Sequence, residues 1–213
     1  MIKVIGFTGV KKSGKTTAFD AIKAIYPSVI EIQLAKKLKD VCSEVLKIPR
    51  KHLDDQRYKE KPFEEPIYLE KSMLKEIVEA YGHRFRFTNQ ARMHVGVLLE
   101  TPRRAAQYIG TEVLRELSED IHCEGAIMGL PKEGIFVVTD MRFPNEFHFF
   151  NNHYRFFYPF YIQRTREELN GAKDMHPSEK LVFETAKSCI KITNNNSRGE
   201  FERKVQDLAR EIV

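Results

Sequence analysis

The sequence lacks tryptophan altogether and contains only three cysteines among its 213 residues. Cys42, Cys123 and Cys189 lie far apart, and no Cys-x-x-Cys motif or Cys/His cluster occurs. This spacing argues against a disulfide framework or a zinc site and predicts a cytoplasmic protein. No apolar run approaches the roughly 18 residues that a membrane span needs. Residues 1–6 have the pattern of a first strand rather than an export signal.

The charge balance is mildly positive, with a formal net charge of +5. A positive surface favours anionic partners such as nucleotides or nucleic acid, although a protein that is simply basic explains the same charge equally well. Hydrophobic residues make up 42% of the sequence and charged residues 31%, which is typical of a globular protein with a core. The length suits a single domain with small insertions.

Short apolar runs alternate with helical patterns along the chain. This alternation predicts an α/β fold, with a parallel sheet and helices on both faces. We expect the core at about residues 1–35 and 130–213, with an inserted substrate lobe at about 36–125. The predicted strands are 2–7, 29–34, 135–139, 160–163 and 189–193, and the predicted helices are 16–25, 36–46, 69–80, 102–117, 144–151 and 200–213.

Residues 9–16 read GVKKSGKT and match the phosphate-loop (P-loop) pattern GxxxxGK(S/T) at every fixed position. Glycines let backbone N–H groups wrap around phosphates, and the next helix directs its positive end at them. Lys15 would reach the β- and γ-phosphates and the Thr16 hydroxyl would hold Mg²⁺. A chance match in a turn is the alternative, but the flanking strand and helix favour nucleoside triphosphate binding. The predicted ATP-binding residues are Gly9, Lys12, Ser13, Gly14, Lys15, Thr16, Thr17 and Arg164.

An acidic residue, Asp140, ends the predicted strand 135–139. Ligands of open parallel sheets bind beyond the carboxyl ends of the strands, so Asp140 would lie beside the P-loop if the two strands are neighbours. It could then hold Mg²⁺ or act on the acceptor phosphate. Alternatively, Asp140 caps the next helix, and Arg142 with Glu146 forms a surface ion pair.

The predicted helix from residue 102 carries a cation, an amide and a gap on one face, formed by Arg103, Gln107, Gly110 and Leu114. A glycine inside a helix costs about 1 kcal/mol relative to alanine, so something must approach closely or the helix must bend. In a nucleotide site, the guanidinium groups of Arg103 and Arg104 would bind phosphate. Gln107 would contact a base edge and Gly110 would leave room for the sugar. A solvent-facing stripe with a glycine kink is the alternative.

An arginine-containing segment at about residues 164–180 follows the predicted strand 160–163. Arginines there suit a lid that closes on the transferring phosphates and excludes water. A charged, solvated loop is the alternative.

Together these segments resemble the deoxynucleoside monophosphate kinases of tailed bacteriophages, over most of the chain. The order and spacing of the segments carry this resemblance, since no short motif after the P-loop is specific alone. The matched features are residues 9–16, Leu34-Ala35 before the next helix, Arg103-Arg104, Gln107, Gly110-Thr111, Asp140, Arg142, Glu146, His176 and Ser178-Glu179.

The resemblance implies a P-loop kinase fold with a nucleotide-monophosphate lobe and a lid. It implies ATP with Mg²⁺ as donor, a deoxynucleoside monophosphate as acceptor, and a homodimer. In that family the monophosphate is bound by residues that match Arg103, Arg104 and Arg142, and the acceptor is recognised by those that match Gln107, Gly110 and Thr111. Residues matching Asp140 and Glu146 lie near the reacting phosphate and sugar.

The chain departs from the family near the acceptor base. Relatives tend to carry a tryptophan about a dozen residues past the Gly-Thr pair, where this chain has His122 and Cys123. Phe143 or Tyr108 could substitute, which leaves the preferred base open.

The leading hypothesis is therefore a deoxynucleoside monophosphate kinase that binds no nucleic acid stably and no membrane. A P-loop kinase for another small acceptor, such as dephospho-coenzyme A, is a second hypothesis, and a nucleic-acid-linked P-loop ATPase is a third. The basic residues gather at the P-loop, the double-arginine helix and the lid, which favours a small anionic substrate. The predicted catalytic residues are Lys15, Arg103, Asp140 and Arg142, and the predicted metal ligands are Thr16 and Asp140.

Overall fold

The computed structural model describes residues 1–82, 85–164 and 177–213, with the backbone alone for residues 177–180. The predicted lid at 164–180 therefore lies largely outside the described residues, and so does His176. Within the described ranges the chain divides into two compact units. The first comprises Met1–Gln33 and Ile127–Val213, and the second comprises Leu34–Ala126.

A parallel sheet forms the centre of the first unit and confirms the predicted α/β fold. Its strands are β1 (Ile2–Thr8), β2 (Ile30–Ile32), β5 (Gly134–Met141), β6 (Phe157–Gln163) and β7 (Ile190–Thr193), while β3 (Ile67–Tyr68) and β4 (Leu98–Leu99) pair antiparallel in the second unit. Among the residues described, the sheet has five strands in the order β2–β5–β1–β6–β7, all parallel.

Helices separate these strands. In the first unit they are α1 (Lys15–Ile25), α9 (Pro144–His153), α10 (Pro177–Ala186) and α11 (Arg198–Ile212). The chain of the second unit carries α2 (Leu34–Val45), α3 (Arg50–Asp54), α4 (Gln56–Lys59), α5 (Lys71–Glu79), α6 (Asn89–Arg92), α7 (Pro102–Tyr108) and α8 (Ile121–Ile127). None of the helices in the described ranges is both long and apolar enough to cross a membrane.

Helices α1 and α11 cover one face of the sheet. Phe201, Val205 and Ala209 recur at helical spacing on α11 and are buried. Ser197 begins this helix with a reciprocal cap, because its hydroxyl accepts the Glu200 N–H and the Glu200 carboxylate accepts the Ser197 N–H. The apolar residues that these helices cover belong to β1, β5, β6 and β7, and include Ile5, Phe7, Val137, Phe160, Ile162 and Ile192.

Helices α9 and α10 cover the opposite face. The Phe150 ring of α9 is fully buried and lies 5.8 Å, centroid to centroid, from the Phe157 ring at the start of β6. Val182 of α10 is also buried. The sheet is thus apolar on both faces, as a parallel sheet flanked by helices requires.

The second unit has a helical core of its own, and its helix α7 is shorter than predicted. In place of one regular helix at residues 102–117, α7 ends at Tyr108 and continues as a π-helical turn, Ile109–Leu114. Such turns bond i to i+5 and therefore change which residues share a face. The buried residues of this core include Leu38, Cys42, Leu74, Ile77, Leu99, Ile109, Leu114 and Ile121.

We predict that two isoleucines of β7 contribute very differently to stability. Ile192 is 2% exposed and Ile190 is 57% exposed. Ile192→Ala should lower the free energy of unfolding by about 2–5 kcal/mol, because it leaves a cavity in the core. Ile190→Ala, the matched control, should change it by less than about 0.5 kcal/mol. Urea unfolding measures both, and equal costs would contradict the assigned register of β7.

Candidate functional site

The loop between β1 and α1 adopts a conformation that depends on its glycines. Gly14 has a φ of 113°, and a Cβ there would lie 2.5 Å from the Asn194 side-chain nitrogen. At Gly9 a Cβ would lie 2.5 Å from Ser13 Oγ and 2.8 Å from the Ile162 carbonyl oxygen. Lys12 has a φ of 65°, which is uncommon outside glycine and often marks a functional turn. The loop is therefore a tight backbone cradle, as the motif predicts.

Lys15 reaches back over this loop. Its ammonium group donates to the Gly9 carbonyl at 2.6 Å and to the Val10 carbonyl at 2.9 Å. The residue is the first of α1, whose N-terminus has no side-chain cap and no acidic residue in its first turn. Helix N-termini carry partial positive charge, so the cation and the helix end together favour an anion.

Ser13 contributes an unsatisfied hydroxyl to the same loop. Its Oγ is buried and has no hydrogen-bond partner among the described residues. Its carbonyl oxygen, in contrast, has a partner, because it accepts the Asn194 side-chain N–H at 2.7 Å. A buried hydroxyl without a partner costs roughly 1–3 kcal/mol, so a ligand oxygen at this place would relieve a local cost.

A cavity of about 500 Å³ opens over the loop within the first unit. Its charged side chains are all cationic, since none of the described residues that line it is Asp or Glu. Cations gathered in one cavity repel one another and attract a polyanion. The cationic lining comprises Lys11, Lys12, Lys15, Arg142, Arg164 and Arg198, and the remaining lining comprises Ser13, Gly14, Thr16, Thr17, Asn194, Asn196 and Phe201.

Asp140 lies where the predicted neighbour of β1 ends. β5 is paired with β1, with Thr8 opposite Met141, and the Thr8 hydroxyl donates to the Met141 carbonyl at 2.9 Å. The condition that the two strands are neighbours is therefore met. Asp140 is half-buried at the carboxyl end of β5, on the sheet edge from which the P-loop leaves β1.

Glu146 has a different environment from the one expected. It is 4% exposed, and its Oε2 accepts the backbone N–H groups of Arg142 at 2.7 Å and Phe143 at 3.0 Å. Pro144 opens α9 as predicted, and Glu146 stands in its first turn. This burial contradicts the alternative of a surface ion pair with Arg142, because the carboxylate accepts backbone N–H groups in the core. The contact of Glu146 with the acceptor stays a prediction. Glu146 holds the start of α9 and the Arg142 peptide.

Arg103 and Arg104 lie on α7 in the second unit. The Arg103 guanidinium binds the Glu60 carboxylate and also donates to Gln56 Oε1 at 3.3 Å. The Arg104 guanidinium lies 5.0 Å from the centroid of the Tyr108 ring. Gln107 is half-buried, and Thr111 is exposed. The two arginines of α7 thus lie near the surface of the second unit, and Arg103 is paired with a carboxylate.

The expectation that Gly110 leaves room for a sugar is wrong. Gly110 is buried, and a Cβ there would lie 2.7 Å from Leu38 Cδ2. Its carbonyl accepts the His122 Nε2–H at 3.0 Å. Leu114, assigned to the same open face, is fully buried. The π-helical turn rotates both residues into the core, so this glycine serves close packing.

His122 and Cys123, which stand where the family resemblance led us to expect a tryptophan, are both buried in the second unit. Burial lowers the pKa of His122 to about 4, while the bond from its Nε2–H to the Gly110 carbonyl acts in the opposite sense. Tyr108, one proposed substitute, is bound through its hydroxyl to His94 Nδ1 at 2.8 Å. The region therefore forms a core rather than an aromatic surface.

The sequence reading did not assign the loop after β7 to the site. Asn194 and Asn196 of this loop line the cavity together with Arg198 and Phe201 of α11. The predicted topology could have indicated this contribution, because the predicted strand at 189–193 ends at the same sheet edge as β1. Thr139 and Glu31, which share a hydrogen bond of 2.7 Å, also lie toward this edge without having been predicted.

The described ranges contain no group of three His, Cys, Asp or Glu side chains arranged to hold a metal ion. All three cysteines are free thiols, and burial raises the pKa of Cys42 and Cys189 to about 12. These thiols are therefore protonated at neutral pH and poor nucleophiles.

No family model matches the chain, and no curated protein matches its sequence. Among solved structures, a dephospho-CoA kinase from Campylobacter jejuni is similar, at 13% sequence identity and a TM-score of 0.49. The alignment covers 100% of this chain and 98% of that chain. A likeness of this degree carries no functional argument.

We predict that the stability of the chain falls as pH decreases from about 6.5 to about 4. In the unfolded chain His122 takes a proton near its ordinary pKa of 6.5, whereas in the folded chain it stays neutral until about 4. The unfolded state binds more protons in this window, so acid favours it. His122→Gln should make the slope of unfolding free energy against pH shallower by up to about 1.4 kcal/mol per pH unit.

Denaturant titrations at several pH values measure these slopes. Identical slopes for His122→Gln and the unsubstituted chain would contradict the depressed pKa.

Proposed function

We propose that the chain is an ATP-dependent phosphotransferase of the P-loop kinase class, with a deoxynucleoside monophosphate as acceptor. The observation that carries the proposal is the cavity over the P-loop, which Lys15 borders and whose charged lining residues, among those that the structure describes, are all cationic. Such a cavity fits a triphosphate better than it fits a neutral or singly charged ligand. ADP and the acceptor diphosphate are then the products.

The triphosphate of ATP would replace interactions that the loop now makes with itself. The Lys15 ammonium donates to the Gly9 and Val10 carbonyls. A β- or γ-phosphate oxygen carries more negative charge than a carbonyl oxygen, so it can compete for the ammonium and draw it over the phosphates. The buried Ser13 hydroxyl gains an acceptor, and the N–H groups at the start of α1 face the anion.

The donor set fits Mg²⁺ in kind. Thr16 offers a hydroxyl at the cavity, and Asp140, which is not one of the lining residues, offers a carboxylate at the end of β5; both are oxygen ligands that Mg²⁺ prefers. A cluster of three protein carboxylates is not needed, because Mg²⁺ with ATP keeps water and phosphate ligands. Bound Mg²⁺ would neutralise charge on the triphosphate.

The chemistry requires positioning and electrostatic stabilisation more than a proton shuttle. Phosphoryl transfer places negative charge on the oxygens of the moving group, which fixed cations stabilise. Arg142 and Arg164 both line the cavity, and the Arg164 guanidinium donates to the Lys12 carbonyl at 3.3 Å. Guanidinium groups suit this role because their planar fork can bind two phosphate oxygens at once.

The acceptor would bind the second unit through α7. Arg103 and Arg104 supply cations for a monophosphate, and Gln107 and Thr111 supply polar groups for the rest of the nucleotide. The resemblance to phage deoxynucleoside monophosphate kinases supports this assignment, and it also supports a homodimer and a cytoplasmic location. Gly110 is no longer part of the acceptor site, because Leu38 and His122 fill the space beside it.

We predict that ADP formation from ATP depends on a deoxynucleoside monophosphate. A coupled assay with a panel of deoxy- and ribonucleoside monophosphates, dephospho-coenzyme A and DNA measures this dependence, and product analysis identifies the phosphorylated species. Turnover only with dephospho-coenzyme A would replace the acceptor while keeping the kinase. Turnover only with DNA would replace the kinase with a nucleic-acid-linked ATPase.

We predict that Lys15→Ala lowers kcat by at least about 100-fold, because the charge at the β- and γ-phosphates is lost. Lys23→Ala is the matched control, since Lys23 is an exposed lysine of the same helix α1. Steady-state kinetics of both variants decide the point. An unchanged kcat in Lys15→Ala would remove the P-loop from the reaction.

A further inference from the structure

The backbone of the cavity residue Arg142 is held at both its N–H and its carbonyl. Its N–H donates to Glu146 Oε2 at 2.7 Å, and its carbonyl accepts the Thr185 hydroxyl at 3.2 Å. Glu146 is 4% exposed and Thr185 is 2% exposed, so both partners are fixed in the core of the first unit. The Arg142 side chain itself is exposed and lines the cavity over the P-loop.

The bond to the Arg142 N–H goes beyond what α9 needs for its own start. A glutamate in the first turn of a helix ordinarily accepts the N–H of the residue before the helix, here Phe143. The same Glu146 oxygen also accepts the N–H one residue earlier, at the shorter distance. Thr185 belongs to a different helix, α10, and its hydroxyl oxygen lies 3.2 Å from the Arg142 carbonyl and also 3.2 Å from the Leu181 carbonyl of its own helix, so its one proton is shared between them. Two helices therefore grip one residue of a loop.

We infer that Glu146 and Thr185 are positioning residues that fix the Arg142 guanidinium against the phosphates, an inference that rests on the proposed function. An arginine side chain has several rotatable bonds, so a mobile backbone beneath it would spread the guanidinium over a wide volume. A displacement of about 1 Å at a reacting group can cost about 100-fold in rate. Hydrogen bonds to both the N–H and the carbonyl of Arg142 fix the position of its Cα, from which the side chain extends.

Thr185 provides the sharper test, because its hydroxyl can be removed without changing its shape. Thr185→Val deletes the bond to the Arg142 carbonyl, and Thr185→Ser keeps a hydroxyl at the same place. The measurements are kcat, the acceptor KM, and the Kd of inorganic tripolyphosphate, each repeated with Arg142→Ala. Glu146→Gln, which retains one acceptor oxygen, is measured in parallel.

We expect Thr185→Val to lower kcat by about 10-fold or more with less than about a threefold change in acceptor KM, and Thr185→Ser to restore most of the loss. In the Arg142→Ala background the same substitution should change kcat by less than about twofold, because the group it positions is gone. Equal losses in both backgrounds would overturn the inference, since Thr185 would then act independently of Arg142. An unchanged kcat in Thr185→Val would also overturn it.

Tripolyphosphate binding separates this inference from the proposed function. If no acceptor supports turnover, the kinase proposal fails, but the cavity can still be tested as an anion site. Arg142→Ala and Thr185→Val should then each raise the Kd of tripolyphosphate. The double variant should bind tripolyphosphate no more weakly than Arg142→Ala alone. Additive losses, or no loss in Thr185→Val, would contradict positioning. Should Glu146→Gln fail to fold, the Thr185 variants decide alone.

Discussion

Like charge concentrated over one backbone loop is the constraint on which the site depends. Lys12, Lys15, Arg142 and Arg164 border one cavity with no carboxylate in its described lining. Their mutual repulsion would favour dispersal, so the fold must hold them in place. It does so with rigid elements: Gly14 admits the tight turn, α1 begins at Lys15, and the carbonyls of the loop bind the ammonium. A polyanion would turn this local cost into binding energy.

Parallel topology explains how distant segments reach the same cavity. In a parallel sheet every strand ends at one edge, so the loops that follow β1, β5, β6 and β7 converge there. Those loops carry the P-loop, Arg142, Arg164 and Asn194 respectively. Asn194 then ties two of them together, because its amide donates to the Ser13 carbonyl. The parallel sheet thus brings together site residues that lie far apart in the sequence.

What could be predicted from the sequence follows from the range of the interactions involved. The P-loop is a local motif whose glycine and lysine roles are set within eight residues, and the strands are periodic patterns, so both were predictable. Gly110 was misassigned because its position depends on tertiary contacts. Leu38 and His122 lie against it, and the π-helical turn changes the side of the helix on which it lies. The surface ion pair considered for Glu146 was wrong because its carboxylate is buried and accepts backbone N–H groups, which sequence spacing does not indicate.

The pairing of Arg103 with Glu60 bears on which acceptor the second unit can take. The ion pair between Arg103 and Glu60 is partly exposed and therefore weak, so an anion that binds the guanidinium more strongly can displace the carboxylate. A phosphate monoester carries nearly two charges at neutral pH and three acceptor oxygens, so it can displace a half-exposed carboxylate. A neutral alcohol or sugar has no such advantage and would leave the ion pair intact. If α7 binds the acceptor as we propose, this competition favours an acceptor that already carries phosphate, which a nucleoside monophosphate does and a nucleoside does not.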